Sequence, residues 1–327
     1  MLVRVDGIGD ALVCAPLVAA LRDAGHTLGA LLTTRNDEAF ASKTFERVHV
    51  VERIAWPGHG TTPESRTTAL AGVCAARYDV ALIASEEMDA LRFARDARIP
   101  TRRGFVNGWE KPFKTLLVSG LLSKPLVRSA SAERVCEHEV ETLFRLGANL
   151  HREAAPTRDL ARLAPLVSDE SVEFHGRIVV QLSAKYEQSG LDLAAYTALI
   201  GALRASFGTP FVLSDDRKLA AQLQRATGIE VEQPHGLRPW KRWIAGARAL
   251  VTPDSGASHL AGMLGIPSVV AFAAGPAVAR DIVRWKPWAA PSRALVLDPR
   301  ADRRAFAKHL CNELDALLGY AKAESRP

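Results

Sequence analysis

Two short stretches of this 327-residue chain carry residue types that do chemistry. The first is Asp6-Gly7-Ile8-Gly9-Asp10, placed between the apolar run Leu2-Val3-Arg4-Val5 and a helical apolar pattern through Ala11, Leu12, Pro16, Leu17, Ala20 and Leu21. That order reads as strand, tight glycine turn and helix. Gly7 and Gly9 let the backbone approach a ligand closely, and a helix start offers free amide donors. Asp10 stands at that start, where a carboxylate either takes a proton from a substrate hydroxyl or caps the helix. A dinucleotide fingerprint would continue with a third glycine at position 12; Leu12 there weighs against a nicotinamide enzyme.

The second stretch is Pro253-Asp254-Ser255-Gly256-Ala257-Ser258-His259-Leu260-Ala261-Gly262, again a small-residue turn between an apolar run and a helical pattern. Ser255, Gly256 and Ala257 leave first-turn amides open, and with the helix dipole those amides suit a diphosphate. Two other readings use the same residues. Asp254 or Ser255 caps a plain helix with His259 packed nearby, or Asp254, Ser255 and His259 form a hydrolase triad. The triad is disfavoured because its members normally converge from separate elements.

The elements that would position these stretches alternate along the chain. Strand-length apolar runs at 2–5, 28–33, 48–54 and 80–84, and again at 178–182, 211–213, 249–252, 268–272 and 294–297, are separated by helical patterns. Such alternation predicts parallel sheets covered by helices. A proline-bearing stretch near 150–175 lacks strand character, so two α/β domains are expected, 1–160 and 161–327, each long enough for its own core. Doubly wound sheets bind ligands at their strand ends, which places the function between the halves. The uncharged run 260–279 has transmembrane length, but Gly262, Gly265, Pro267, Gly275 and Pro276 divide it, so a buried helix-to-strand passage is expected instead. The segment 321–327 reads as a solvated tail.

Composition narrows the partners. Apolar residues make up 48% and charged residues 24%, which excludes wholesale disorder. Lys plus Arg number 42 against 36 for Asp plus Glu, a net +6 that favours anionic ligands. Cys14, Cys74, Cys136 and Cys311 are too far apart in sequence to begin a zinc site or redox dithiol, so reduced thiols and no metal are expected. Asp6 and Asp10 interrupt the first apolar stretch and no basic segment precedes it, so no secretory signal is read and a cytoplasmic protein is expected.

With these residues in view, the chain resembles a known family. Arg4-Val5-Asp6-Gly7-Ile8-Gly9-Asp10-Ala11-Leu12, followed by Pro16-Leu17-Val18-Ala19-Ala20-Leu21-Arg22, is similar to the first motif of the ADP-heptose:lipopolysaccharide heptosyltransferases, glycosyltransferase family 9. Asp254-Ser255-Gly256-Ala257-Ser258-His259-Leu260-Ala261 resembles the family's donor-diphosphate motif, and Gly265-Ile266-Pro267-Ser268-Val269-Val270-Ala271-Phe272 the strand after it. Glu137-His138-Glu139-Val140 with Leu143-Phe144-Arg145-Leu146-Gly147 resembles the helix before the linker. The resemblance implies a GT-B fold, two Rossmann-like domains facing across a cleft, with acceptor bound mainly by the first and nucleotide sugar by the second. It implies inverting, metal-independent transfer of heptose from ADP-heptose or a similar nucleotide sugar to a hydroxyl of a lipopolysaccharide core or related glycan, with no cofactor. Asp10 is then the base beside Gly9, and Ser183, Lys185, Asp254, Ser255, Gly256, Ala257 and His259 line the donor side. Asp216, in Ser214-Asp215-Asp216 after a strand, either accepts from ribose hydroxyls or caps a helix. The chain departs from the family at one place: a lysine that helps hold the diphosphate is replaced by Ser189, with Lys185 four residues earlier. That departure motivates the alternative, a GT-B protein that binds a nucleotide or glycan without turnover.

Between Leu91 and Arg134 ten basic residues stand against three acidic ones, a local +7. Arg92, Arg95 and Arg98 recur at near-helical spacing, Arg102 and Arg103 follow, and Phe105, Trp109, Phe113, Leu116 and Leu117 interleave with Lys111 and Lys114. Arg92, Arg95, Arg103 and Lys111 are expected to receive an anionic glycolipid acceptor, with peripheral contact on the inner face of the cytoplasmic membrane. The competing reading is a solvated basic face over core residues. No nucleic-acid motif accompanies the charge, so no nucleic-acid partner is expected.

Overall fold

The computed structural model describes residues 1–53, 60–129, 137–169, 174–183, 192–297 and 302–324. The chain divides into two compact units, one of 1–158 with 165–169 and one of 159–164 with 170–327.

Unit one is built on six strands, β1 (Leu2–Val3), β2 (Gly29–Thr33), β3 (Arg47–Val51), β4 (Val80–Ile83), β5 (Thr101–Val106) and β6 (Lys124–Val127), all parallel in the order β3-β2-β1-β4-β5-β6. The helices are α1 (Ile8–Leu12), α2 (Ala15–Asp23), α3 (Pro63–Ala76), α4 (Met88–Asp96), α5 (Pro112–Ser119) and α6 (Glu139–Phe144). Central β2 is buried at every position, as a strand covered on both faces must be, and Leu31 and Ile83 pack with Phe93 and Ile99 beneath α4. His138 caps α6: its Nδ1 accepts from Val140 N at 3.0 Å, while Glu141 Oε2 accepts from His138 N at 3.0 Å. Glu139, next in line, is buried against Arg128, whose Nη1 and Nη2 donate to its two oxygens at 3.2 and 3.0 Å. Burial pushes the Glu139 carboxyl above its usual range, opposed by Arg128.

Unit two repeats the plan with β7 (Ile178–Leu182), β8 (Phe211–Ser214), β9 (Val231–Glu232), β10 (Ala249–Pro253), β11 (Ser268–Ala273) and β12 (Ser292–Leu297), parallel in the order β12-β11-β10-β7-β8-β9. Helix α7 (Leu160–Val167) spans the division between the units, and α8 (Leu193–Phe207), α9 (Arg217–Thr227), α10 (Leu237–Ala245), α11 (Gly256–Leu264), α12 (Val278–Trp285) and α13 (Arg303–Glu324) follow. Counted within its own unit, each sheet runs 3-2-1-4-5-6. This order reverses direction between the first and fourth strands and opens a crevice at their carboxyl ends.

The structure adds three strands that the pattern did not mark. β5 begins Thr101-Arg102-Arg103, and its charges hid it; β6 contains Pro125; β9 is two residues long. The third strand ends at Val51, short of the expected 48–54, and position 54 lies outside the described residues. The uncharged run is the expected passage: α11 ends at Leu264, Gly265 turns with φ of 78°, and β11 follows. Among the described residues no helix is long and apolar enough to cross a membrane. The expected tail is instead helical as far as Glu324.

Thiol burial yields one test. Cys14 is fully buried, which pushes its thiol up to about 12, and burial also raises Cys311, whereas Cys74 is exposed. Because the thiolate is the nucleophile, iodoacetamide at neutral pH should label Cys74 in the native protein and reach Cys14 and Cys311 only after denaturation, as read by peptide mass mapping.

Candidate functional site

Each unit gathers polar groups at the carboxyl edge of its sheet. In unit one the centre is Arg4, immediately after β1 and buried. Its Nη2 donates to Asp10 Oδ1 at 2.8 Å, its Nε lies 3.2 Å from Asp6 Oδ2, and its Nη1 donates to the Ala84 carbonyl at the end of β4. Asp6 is held from its other oxygen by Ser85 Oγ at 2.9 Å. Asn36, fully buried after β2, pins the turn from behind: its Nδ2 donates to the carbonyls of Arg4 and Asp6, both at 3.1 Å, and its Oδ1 accepts from Thr33 N at 2.8 Å. The first turn is thus tied to β2 and β4 on either side of β1.

Asp10 lies in the first turn of α1. Its Oδ2 accepts from Gly7 N at 3.1 Å, the reciprocal half of a capping arrangement, while Oδ1 faces Arg4. The side chain remains 35% exposed. A carboxylate oxygen carries two lone pairs, so one hydrogen bond on each leaves room for a substrate hydroxyl. Capping and proton acceptance are therefore compatible here. Gly9, beside it, is half-buried, and its carbonyl accepts from Val13 N at 3.1 Å.

The basic residues separate. Arg103, expected at an acceptor surface, is only 7% exposed; its Nη1 donates to the Leu146 carbonyl at 3.1 Å and also to that of Ala148, so it braces β5 against the turn after α6. Arg102 donates to the carbonyls of Ile99 and Leu121 at 2.7 and 2.8 Å, and Arg128 is buried on Glu139. A crossover helix runs back from the carboxyl edge, so the nine residues of α4, ~13 Å of rise, carry Arg95 towards the opposite edge. There Arg95 pairs with Asp96 at 2.7 Å. Arg92 lies midway on the exposed face of the same helix. Of the four cations expected at an acceptor surface, Lys111, just after β5, is the one that stands exposed on the edge that carries Asp10. Among the described residues the basic run is not one patch.

In unit two, Asp254 and Ser255 follow β10, which lies beside β7. Carrying the β10–β7 register forward brings Asp254 level with Ser183, which is half-buried at the end of β7. Ser255 is the N-cap residue of α11 but its side chain does not cap; its Oγ lies 3.1 Å from Thr252 Oγ1. Ser258 N and Oγ both turn back to the Ser255 carbonyl, at 3.1 and 2.7 Å. The amides of Gly256 and Ala257 thus stand at a nine-residue helix start without a side-chain cap, suited to anionic oxygens.

Two further donor-side candidates lie on α11 and at the start of α9. His259 is buried, with its ring edge-on to Trp285 of α12 at 5.8 Å, and Ser255 Oγ is engaged by Thr252 Oγ1. Asp216 caps α9, its Oδ1 accepting from Lys218 N at 2.8 Å and Leu219 N at 3.0 Å, an arrangement compatible with a ribose contact through the other oxygen. Lys185 lies outside the described residues. Arg4, Asn36 and Ser85 were not singled out as site residues from sequence; only Arg4, inside the first motif, gave any signal. Among the described residues no group of three or more His, Cys, Asp or Glu side chains could hold a metal ion.

The close seating of α11 is testable. A Cβ added at Gly262 would stand 2.8 Å from the Trp288 backbone nitrogen and 3.1 Å from Pro287 Cβ. Gly262→Ala should therefore destabilise the protein by about 1–3 kcal/mol in denaturant titrations and weaken any ligand held by the α11 amides.

No family model matches the chain, and no curated protein matches its sequence. Solved structures do. The Escherichia coli heptosyltransferase WaaC with ADP superposes with a TM-score of 0.70 at 18% identity, covering 98% of each chain. The E. coli ADP-heptose lps heptosyltransferase II gives 0.69 at 15% identity, covering 98% of this chain and 99% of that one. A glycosyl transferase of family 9 from Veillonella parvula gives 0.66 at 12% identity over 90% of this chain and 84% of its own. With two parallel six-stranded sheets covered by helices, the protein has the α/β fold of the GT-B heptosyltransferases.

Proposed function

We propose that the chain belongs to glycosyltransferase family 9 and transfers a sugar, heptose from ADP-heptose or a close relative, to a hydroxyl of a lipopolysaccharide core or similar anionic glycan. The observation that carries the reading is the Asp10 carboxylate, held by Arg4 and Gly7 N yet 35% exposed, at the turn where this fold expects a base. It removes the acceptor proton as the hydroxyl attacks the anomeric carbon. The leaving diphosphate takes up the negative charge, which the Gly256 and Ala257 amides and the α11 dipole stabilise. The neighbours solved with ADP and with ADP-2-deoxy-2-fluoro heptose support a nucleotide-sugar donor. Inversion follows from a single displacement, and the chemistry of the residues present calls for no metal. Ser183, Lys185, Asp254 and Ser255 are proposed on the donor side, and Gly9 and Lys111 on the acceptor side.

Calorimetry with ADP and ADP-sugars, followed by a turnover assay that measures ADP release in the presence of a core oligosaccharide, tests the reading. Transfer with ADP-heptose supports it. ADP binding with no transfer by the intact protein would favour the binding-only alternative.

A further inference from the structure

The outward face of α5 is apolar. Trp109, Phe113, Leu116 and Leu117 recur at i, i+4, i+7 and i+8, one stripe of a helix and its lead-in turn, and are 95%, 89%, 77% and 60% exposed. The one buried residue of α5 is Val118, so its amphipathicity is inverted relative to a helix that merely covers a sheet. Val127, 65% exposed at the end of edge strand β6, continues the patch: a Cβ on Gly108, next to Trp109, would lie 3.5 Å from Val127 Cγ1. Large apolar side chains scattered singly on a surface need no explanation, but five adjoining ones mark a contact surface.

Charge selects the partner. Lys111 is exposed between Trp109 and Phe113, and Lys114 is half-exposed beside Phe113. The neighbouring carboxylates are engaged: Glu110 accepts from Ser129 Oγ at 2.7 Å, and Glu86 lies between Arg128 at 3.1 Å and Lys114 at 3.4 Å. A self-complementary contact with a second copy would set these lysines against one another. An indole, a phenyl ring and leucines flanked by lysines match a different occupant. The geometry points to α5 and its lead-in turn as a docking element for an anionic lipid bilayer, with the stripe in the headgroup–acyl boundary and Lys111 and Lys114 on the headgroups. Trp109 and Lys111 follow the carboxyl end of β5, the same sheet edge as Asp10, so docking presents that edge to the bilayer. The relevance of this to a lipid-borne acceptor rests on the transferase reading; the docking does not.

The test is flotation of the full chain with phosphatidylcholine vesicles, with and without phosphatidylglycerol. The intact protein should float with the anionic vesicles, less so as salt is added, and brominated lipid should quench its fluorescence more than that of Trp109→Phe. Replacing Trp109, Phe113 and Leu116 together by Ser should lower the partition coefficient about tenfold or more, with the thermal midpoint unchanged because these side chains hold no core. Lys111→Glu should weaken binding to anionic vesicles only. Failure of the intact protein to float, equal flotation by the triple variant, or a concentration-dependent dimer that the triple variant abolishes would each overturn the proposal. None of these readouts involves turnover, so the outcome is separate from that of the transferase assay.

Discussion

Asp10→Asn is expected to lower kcat for sugar transfer by about 10²–10⁴-fold, the usual span for loss of a general base, while ADP affinity stays within about twofold because the donor residues lie in the other unit. Asparagine keeps the size of the side chain and an oxygen for Gly7 N, but it cannot take a proton and gives up the charge opposite Arg4. With the carboxylate 35% exposed, the pair is worth little to stability, about 1 kcal/mol or less. The measurement is a single-turnover assay alongside calorimetry with ADP. Asp10→Glu provides the second point: a base displaced by one methylene should recover part of the rate. Full activity in Asp10→Asn would leave the carboxylate as a helix-start residue and nothing more.

The two turns were legible in the sequence because the signal is local. A strand that stops at Gly7 or just before Asp254, then small residues, then a helical stripe, announces its own geometry within about a dozen positions. What stayed hidden is carried by partners far apart in the chain. Arg103 reads as one more surface cation until the carbonyls of Leu146 and Ala148, more than forty positions away, are seen to receive it. Arg128 reads the same way until it meets Glu139. Asn36 looks like an ordinary turn residue, yet it ties the first glycine turn to the end of β2. The interleaved Trp109, Phe113, Leu116 and Leu117 were visible as a pattern; whether they faced the sheet or solvent depended on Val118 taking the inward place.

Arg4→Met should be the most damaging single change in unit one, costing about 3 kcal/mol of stability as well as most of the activity. The guanidinium is buried, touches Asp6 and Asp10, and closes on the Ala84 carbonyl, so three groups lose their partner at once. Arg4→Lys keeps the charge but has no fork with which to reach all three, and should fall between. Arg4 is buried and acts by holding Asp10. A merely structural role predicts a lower thermal midpoint with unchanged kinetics for the folded fraction. A positioning role predicts more: reduced kcat with ADP affinity retained. An unchanged kcat per folded molecule in Arg4→Lys and Arg4→Met would confine Arg4 to the fold.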